Sequence, residues 1–560
     1  MSQRHPDTHL AQTDLRPADE VMRLERMGAF FPTRLSFMRS LIRRLALEKV
    51  TVTRPVWEIS DTGFGRAVYS LEFGGHVYSL IAYSTELDPS QRTDRVIAEA
   101  WDASFVLFDG TPSTEDLDRI EQNAPKQEAG RFTASELILS RANKSVRFFE
   151  STAEALSKGE QPDLKMVQEI GYLMRTTAVY GNGKFGISDR AKIQHRKHMS
   201  GPFQAEMLTV WLIRTFSHDL VEHVAAKRSP ETAVTLSREI KRHLGIGNST
   251  GLGMAPFLVN HPILLNNWMM VRETALARVR ACTQIDKESI ENLINRATEH
   301  LEQWNVPDNN QTGKIHELRQ NWKDLHKDPT WMHQKAPWEA LFERSKSFGL
   351  ECQELTVAMM IEANGSLVDG LEDCMGSDIT PGLDASVSTQ ETLDLIKNMA
   401  GWALTPNYED RAESAQFWYV SEEKLEPRLG DRFDEPGEEL ETPLDIARQI
   451  KNFWTDLKEA PAQCIGEFLM RFPQHRNAAR RIQALKQFPY GEIRDNLISD
   501  RCLPIDMLRC KLSFFGASKF DPKSDRWTRI TLYQGAPLAA DLAQISEREA
   551  DDWWLPCFTP

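Results

Sequence analysis

Two glycine-rich stretches hold the side chains best suited to chemistry. In Tyr180-Gly181-Asn182-Gly183-Lys184-Phe185-Gly186 a lysine sits among three glycines. Glycine lets the backbone take left-handed angles and approach a ligand closely. An ammonium held there can meet a carboxylate or phosphate, or move a proton if desolvation lowers its pKa. Arg175, five residues before Tyr180, is within reach of the same place. A helix C-cap followed by a turn is the structural alternative, because Asn-Gly is ordinary turn chemistry. The second stretch is Gly245-Ile246-Gly247-Asn248-Ser249-Thr250-Gly251-Leu252-Gly253-Met254-Ala255-Pro256. Backbone amides of such a loop, with the free N–H groups of a helix started by Pro256, make an anion cradle. No Gly-Lys-Ser/Thr closes it, so it is not a P-loop. No strand is expected before it, so it is not a dinucleotide fingerprint. A flexible helix–helix connection is the alternative, although such connections need few glycines.

Directly after it, Phe257 to Trp268 is mostly apolar yet carries Asn260, His261, Asn266 and Asn267. Buried amides must be hydrogen-bonded, to structure or to ligand. The candidate catalytic residues are therefore Lys184, His261 and Tyr180, with Lys184 and His261 leading as acid/base groups. Arg175, Asn182, Gly183, Gly247, Asn248, Ser249, Thr250, Gly251, Asn260 and Asn267 are the candidates for holding substrate. If one anion uses both stretches, Lys184, the 245–253 loop and His261 must converge in the fold.

Other constellations carry less. Arg196, Lys197, His195 and His198 form a basic knot. His218 with Glu222 and Asp219 with His223 are i,i+4 pairs on one helix, but the spacing is neither HExxH nor HxxEH, so no metal is assigned. Asp369, Glu372 and Asp373 read as a solvated acidic face. No Gly-x-Ser-x-Gly elbow occurs, no cysteine sits in an activated setting, and no cofactor can be named from these residues.

The elements that must position these groups come from 560 residues, about three domains' worth. Apolar residues at 41% and charged residues at 26% suit a large core under a solvated surface. A net charge of −14 argues against general nucleic-acid binding, so no nucleic-acid partner is expected, although the charge leaves room for a local basic patch. No signal peptide or membrane span is evident, and seven scattered cysteines without a CxxC pair read as reduced thiols, so a cytoplasmic location is expected.

Residues 1–49 read as a polar lead-in ending in a basic amphipathic helix, either a short surface helix or a membrane or partner anchor. Residues 50–132 are rich in β-branched and aromatic runs, with Gly74-Gly75 as a hairpin signal. Residues 133–404 read as helical, 405–441 as an acidic mobile linker with 12 acidic and 4 basic residues, and 442–560 as helical with an irregular docked tail. The expected fold is mainly α with a small N-terminal antiparallel β-sheet (α+β) and a large helical bundle core. The expected function is a soluble metabolic enzyme. It would bind a small anionic metabolite (carboxylate-, phosphate- or CoA-bearing) in a bundle pocket, for acid/base chemistry of elimination or group-transfer type. A non-catalytic helical interaction or regulatory protein is the alternative, and a homo-oligomer stays open.

Overall fold

The computed structural model describes residues 15–27, 34–88, 90, 100–123, 133–176, 193, 195–199, 201, 203–248, 258–259, 261–304, 309–376, 381–420, 427–428, 442–498, 506, 519–524 and 527–546. Two single-turn helices, Ala18–Val21 and Leu24–Met27, precede helix α1 (Phe37–Leu47). There follow strands β1 (Val52–Ile59), β2 (Gly65–Phe73), β3 (His76–Ser84) and β4 (Ala103–Asp109). Helix α2 (Thr114–Asn123), β5 (Glu136–Lys144), α3 (Phe149–Ser157), α4 (Leu164–Ile170) and β6 (Tyr172–Thr176) come next. The long α5 (Gln204–Arg228) and short α6 (Arg238–His243) lead to β7 (Gly245–Asn248). The helical body then includes α7 (Pro262–Arg280), α8 (Lys287–Gln303), α9 (Asn309–His326) and α10 (Leu350–Ala363). After α11 (Thr389–Ala400) and the small ribbon β8 (Tyr419–Val420) and β9 (Pro427–Arg428) come α12 (Thr442–Glu459), α13 (Ile465–Arg471) and α14 (Arg476–Gln487). Strands β10 (Lys519–Ser524) and β11 (Trp527–Leu532) follow, and a 3-10 turn, Ala539–Asp541, comes after them.

The expected small antiparallel N-terminal sheet is corrected by a nine-stranded mixed sheet in the order β1-β2-β3-β4-β5-β6-β7-β11-β10. Strands from residue 52 to residue 532 belong to it, and β6 and β7 pair in parallel. The physical reasons are local. Gly74 and Gly75 both take positive φ, as the two-residue turn between Phe73 and His76 demands. Gly171, at φ 72, ends α4, so the apolar run that would extend the helix turns into β6 instead. Four residues of Gly-Ile-Gly-Asn carry little β-propensity, yet β7 is a strand because β6 and β11 hydrogen-bond it on both sides.

Alternation along the strands makes two apolar faces. On one, Phe216 of α5 meets the rings of Trp57, Tyr69 and Phe105 edge-on or tilted. On the other, Leu117 and Ile120 of α2 cover Val68, Ile81, Tyr83, Val106 and Phe108. A second hydrophobic core belongs to α11–α14, around Ile396, Phe453, Ile465, Phe468, Ile482 and Leu485. Within 405–441, Phe417 and Trp418 are buried.

Charge pairing ties the N-terminal segment to the helical body. The basic helix α1 is an interior element: Arg34, Arg39, Arg43 and Arg44 pair with Glu362, Asp369 and Asp373. The basic and acidic clusters that read as two separate surfaces therefore meet each other. Arg16 forks onto Glu273 at 2.8 Å and reaches Glu354 at 2.6 Å, and Glu354 also accepts from Arg272 at 2.6 Å. Those cations hold the Glu354 carboxyl at a pKa of about 2 in spite of its burial. No helix among the described residues is long and apolar enough to cross a membrane.

Candidate anion site at the ends of two parallel strands

Tyr172 pairs with Gly245 and Arg175 with Gly247, both in parallel register. The last residues of the two strands, Thr176 and Asn248, therefore leave the sheet side by side at the same end. The stretch containing Lys184 continues from the first, and Ser249 to Gly253 continues from the second. Helix α5 lies between the strands in sequence and packs against both, as in a βαβ unit. In open sheets of that kind, ligands bind outside the carboxyl ends of parallel strands.

Arg175 is 4% exposed and sits opposite Asn143 of β5. Arg141, two residues earlier on β5, shares Asn143's face and stands opposite Ser104 of β4. The Arg141 guanidinium lies 5.0 Å from the Trp101 ring. No carboxylate among the described residues neutralises it, its Nε makes no hydrogen bond, and burial lowers its pKa. Asn143 is fixed in turn: its Oδ1 accepts from the Asp102 amide at 2.9 Å, while Asp102 Oδ2 accepts from the Lys144 amide at 2.9 Å. This part of the sheet thus presents two arginines and an amide on one face, next to the strand ends.

The glycines of β7 have a packing explanation. A Cβ at Gly245 would lie 2.2 Å from the Leu532 carbonyl oxygen, and one at Gly247 would lie 2.6 Å from the Tyr172 ring. Close neighbours in the sheet therefore require glycine at both positions. As expected, a helix rather than a strand precedes Gly245, but the first four residues of the glycine-rich stretch are themselves a strand.

Of the sequence candidates, the structure brings Arg175, Gly247 and Asn248 together. His261 and Asn267 lie at the start of α7. The His261 amide donates to Leu258 O at 3.0 Å and its carbonyl accepts from Leu265 at 3.1 Å. Asn267 Nδ2 donates to Gly376 O at 3.2 Å, and Asn266 Oδ1 accepts from the Tyr490 amide at 3.1 Å. These amides join α7 to neighbouring segments. Tyr180, Asn182, Gly183, Lys184, Ser249, Thr250, Gly251 and Asn260 lie outside the described residues, as does the tail 553–558.

The weaker constellations are absorbed by tertiary contacts. Asp219 accepts from Arg54 at 2.9 Å and from Tyr69 at 2.7 Å, whereas His223 Nδ1 accepts from Trp57 at 3.2 Å. Glu222 accepts from the Leu236 amide at 2.8 Å. Among the described residues no group of three or more His, Cys, Asp or Glu side chains is placed to hold a metal ion. The basic knot becomes a chain that sequence spacing could not reveal. Asp109 holds Arg196 through two bonds of 2.6 and 2.7 Å, Arg196 donates to the Tyr78 hydroxyl at 3.0 Å, and that hydroxyl lies 2.8 Å from His198 Nε2. Burial, reinforced by His76, Arg196 and Arg44, holds the His198 pKa at about 4, so the ring is neutral near pH 7. A Cβ at Gly74 would strike that ring, which locks it under the β2–β3 turn. Arg141 was missed because an arginine in a strand has no signal until its neighbours are known.

Set against protein-family models, curated proteins and solved structures, the chain matches none.

Proposed function

We propose that this chain is a soluble metabolic enzyme that binds a small anionic substrate at the carboxyl ends of β6 and β7. The observation that supports this most is the parallel register of Arg175 with Gly247. It makes neighbours of the strands from which the two glycine-rich stretches continue. Arg141, stacked on Trp101 without a carboxylate partner among the described residues, supplies a second cation on the same face. Lys184 and Tyr180 are the acid/base groups of this reading, and elimination or group transfer is the chemistry that suits them. His261, at the start of α7, is kept as a further acid/base candidate of this reading. The interaction-protein alternative loses one of its two surfaces, because the arginines of α1 are spent inside the fold. A cytoplasmic location fits Cys282, Cys352, Cys374 and Cys464, all free thiols, with the Cys352 thiol pushed up to about 12 by burial.

Thermal unfolding of the purified chain with phosphate, pyrophosphate, di- and tricarboxylates and coenzyme A tests the reading. One of these anions should raise the transition, since a ligand at a hundred times its Kd adds about 2.7 kcal/mol. Arg141→Met should abolish that rise without lowering the ligand-free transition, and Lys184→Met should abolish turnover of the stabilising compound. Stabilisation by none of these anions, or an undiminished effect in Arg141→Met, would remove the site from this place.

A further inference from the structure

A local reversal of charge with exposed arginines lies on the α13–α14 corner. Between residues 460 and 490 the sequence holds five Arg or Lys and one Glu, a local +4 in a chain of net −14. The seven-residue α13 and the twelve-residue α14 are joined by a single 3-10 turn, Pro473–His475. Both helices are anchored in the second hydrophobic core by Ile465, Phe468, Ala479, Ile482 and Leu485. The turn is held by His475, whose Nε2 lies 2.7 Å from Asp456 of α12 and whose ring stacks on Phe468. The corner is therefore rigid.

Its arginines divide into two kinds. Arg481 turns inward, with bonds to Glu492 at 2.8 Å and to Val259 O at 2.8 Å. Arg471, Arg476 and Arg480 point outward, are exposed, and make no ion pair among the described residues; the Glu467 carboxylate, one turn before Arg471, instead accepts from the Gln463 amide. Arg476 and Arg480 are four residues apart and share one stripe of α14 with the exposed Gln487, with Asn477 beside them. Met470, 81% exposed, stands next to Arg471 at the apex.

We propose that this corner docks on duplex DNA, with Arg471, Arg476 and Arg480 each neutralising a backbone phosphate. A short helix, a tight turn and a longer helix with an outward Arg/Asn/Gln stripe is the arrangement by which helix–turn–helix modules lay a second helix in the major groove. Those side-chain types are also the ones that hydrogen-bond purine edges. The overall negative charge limits binding to this patch and keeps the rest of the molecule off the duplex.

The test is fluorescence anisotropy of the full chain with a labelled duplex of about 20 base pairs, two turns long. Each phosphate contact contributes a salt slope of about −0.9. Three contacts imply an affinity loss of about 40-fold between about 50 and 200 mM salt. The double variant Arg476→Gln/Arg480→Gln, both surface changes, should bind more weakly at about 50 mM salt and lose only about 3-fold over the same range. Its thermal transition should match that of the unaltered chain. An unaltered chain that does not bind the duplex, a double variant that binds with the unaltered salt slope, or tighter binding to poly-glutamate than to duplex would each overturn the proposal.

Discussion

At the scale of single residues, the most consequential group that lies outside the candidate site is Arg214. It is fully buried on α5 and donates to Leu244 O at 2.6 Å, Arg242 O at 2.8 Å, Lys241 O at 2.9 Å, and Ala536 O and Pro537 O at 3.1 Å. Three of these carbonyls belong to the C-terminal end of α6 and the residue after it, where a cation is favoured by the helix dipole. The other two belong to the segment after β11. Burial still lowers the guanidinium's pKa to about 9. Arg214→Met keeps the volume but orphans buried acceptors, which cost about 1–3 kcal/mol apiece when left without a donor. Urea unfolding should show a loss on the order of 3 kcal/mol, and limited proteolysis should release the C-terminal segment earlier. A variant as stable as the unaltered chain would mean that water replaces the side chain without loss.

Among elements, β7 carries the most for its length, since it joins the N-terminal strands to β11 and β10. Gly247→Ala places a methyl against the Tyr172 ring, and overpacking of that kind costs about 1–3 kcal/mol. The melting temperature should fall, and amide protection of Ile246 should fall with it. Unchanged protection would show that the ring simply swings away. The element scale also shows what could be read beforehand. Gly74-Gly75 between two alternating runs announces a hairpin from local chemistry alone. Leu173 and Met174 match a helical stripe as well as a strand, and only the left-handed Gly171 and the pairing with Asn143 and Lys144 decide between them. Arg175 and Asn248 are legible as candidates by residue type, whereas their neighbourhood, and the bond of Asn267 to Gly376, are not.

For the whole molecule, desolvated histidines set the response to acid: His218 is buried, and His198, His300 and His326 are half-buried. Desolvation holds His300 at about 4 and His326 at about 3, and keeps His218 well below its ordinary value, alongside His198 at about 4. The folded pKa values lie below the unfolded value of about 6.5. The unfolded chain therefore binds more protons between pH 6.5 and about 4, and stability falls as pH drops through that window. Each such ring adds a slope of at most about 1.4 kcal/mol per pH unit. Glu354 acts in the same direction at lower pH: its depressed pKa contributes stability above about 4.5 that is lost as pH falls towards 2. Thermal melts from pH 7.5 to 5 should show a steady decline, and His326→Phe should flatten it. A transition temperature independent of pH over that range would mean that these rings are hydrated in solution.

Composition and local pattern by themselves determined that the chain buries a large core and that Gly74-Gly75 joins two strands in a hairpin, and they marked its glycine-rich stretches and the cations beside them as candidates. Those properties depend on side-chain type and on spacings of a few residues. The tertiary structure alone decided that the sheet has nine strands with β6 and β7 parallel, that the basic α1 is interior, and that Arg141 stands beside Trp101 with no ion pair among the described residues while Arg196 is spent on Asp109. Strand partners and ion-pair partners are chosen between residues tens to hundreds of positions apart, by which surfaces can be buried together, and no local period records that choice.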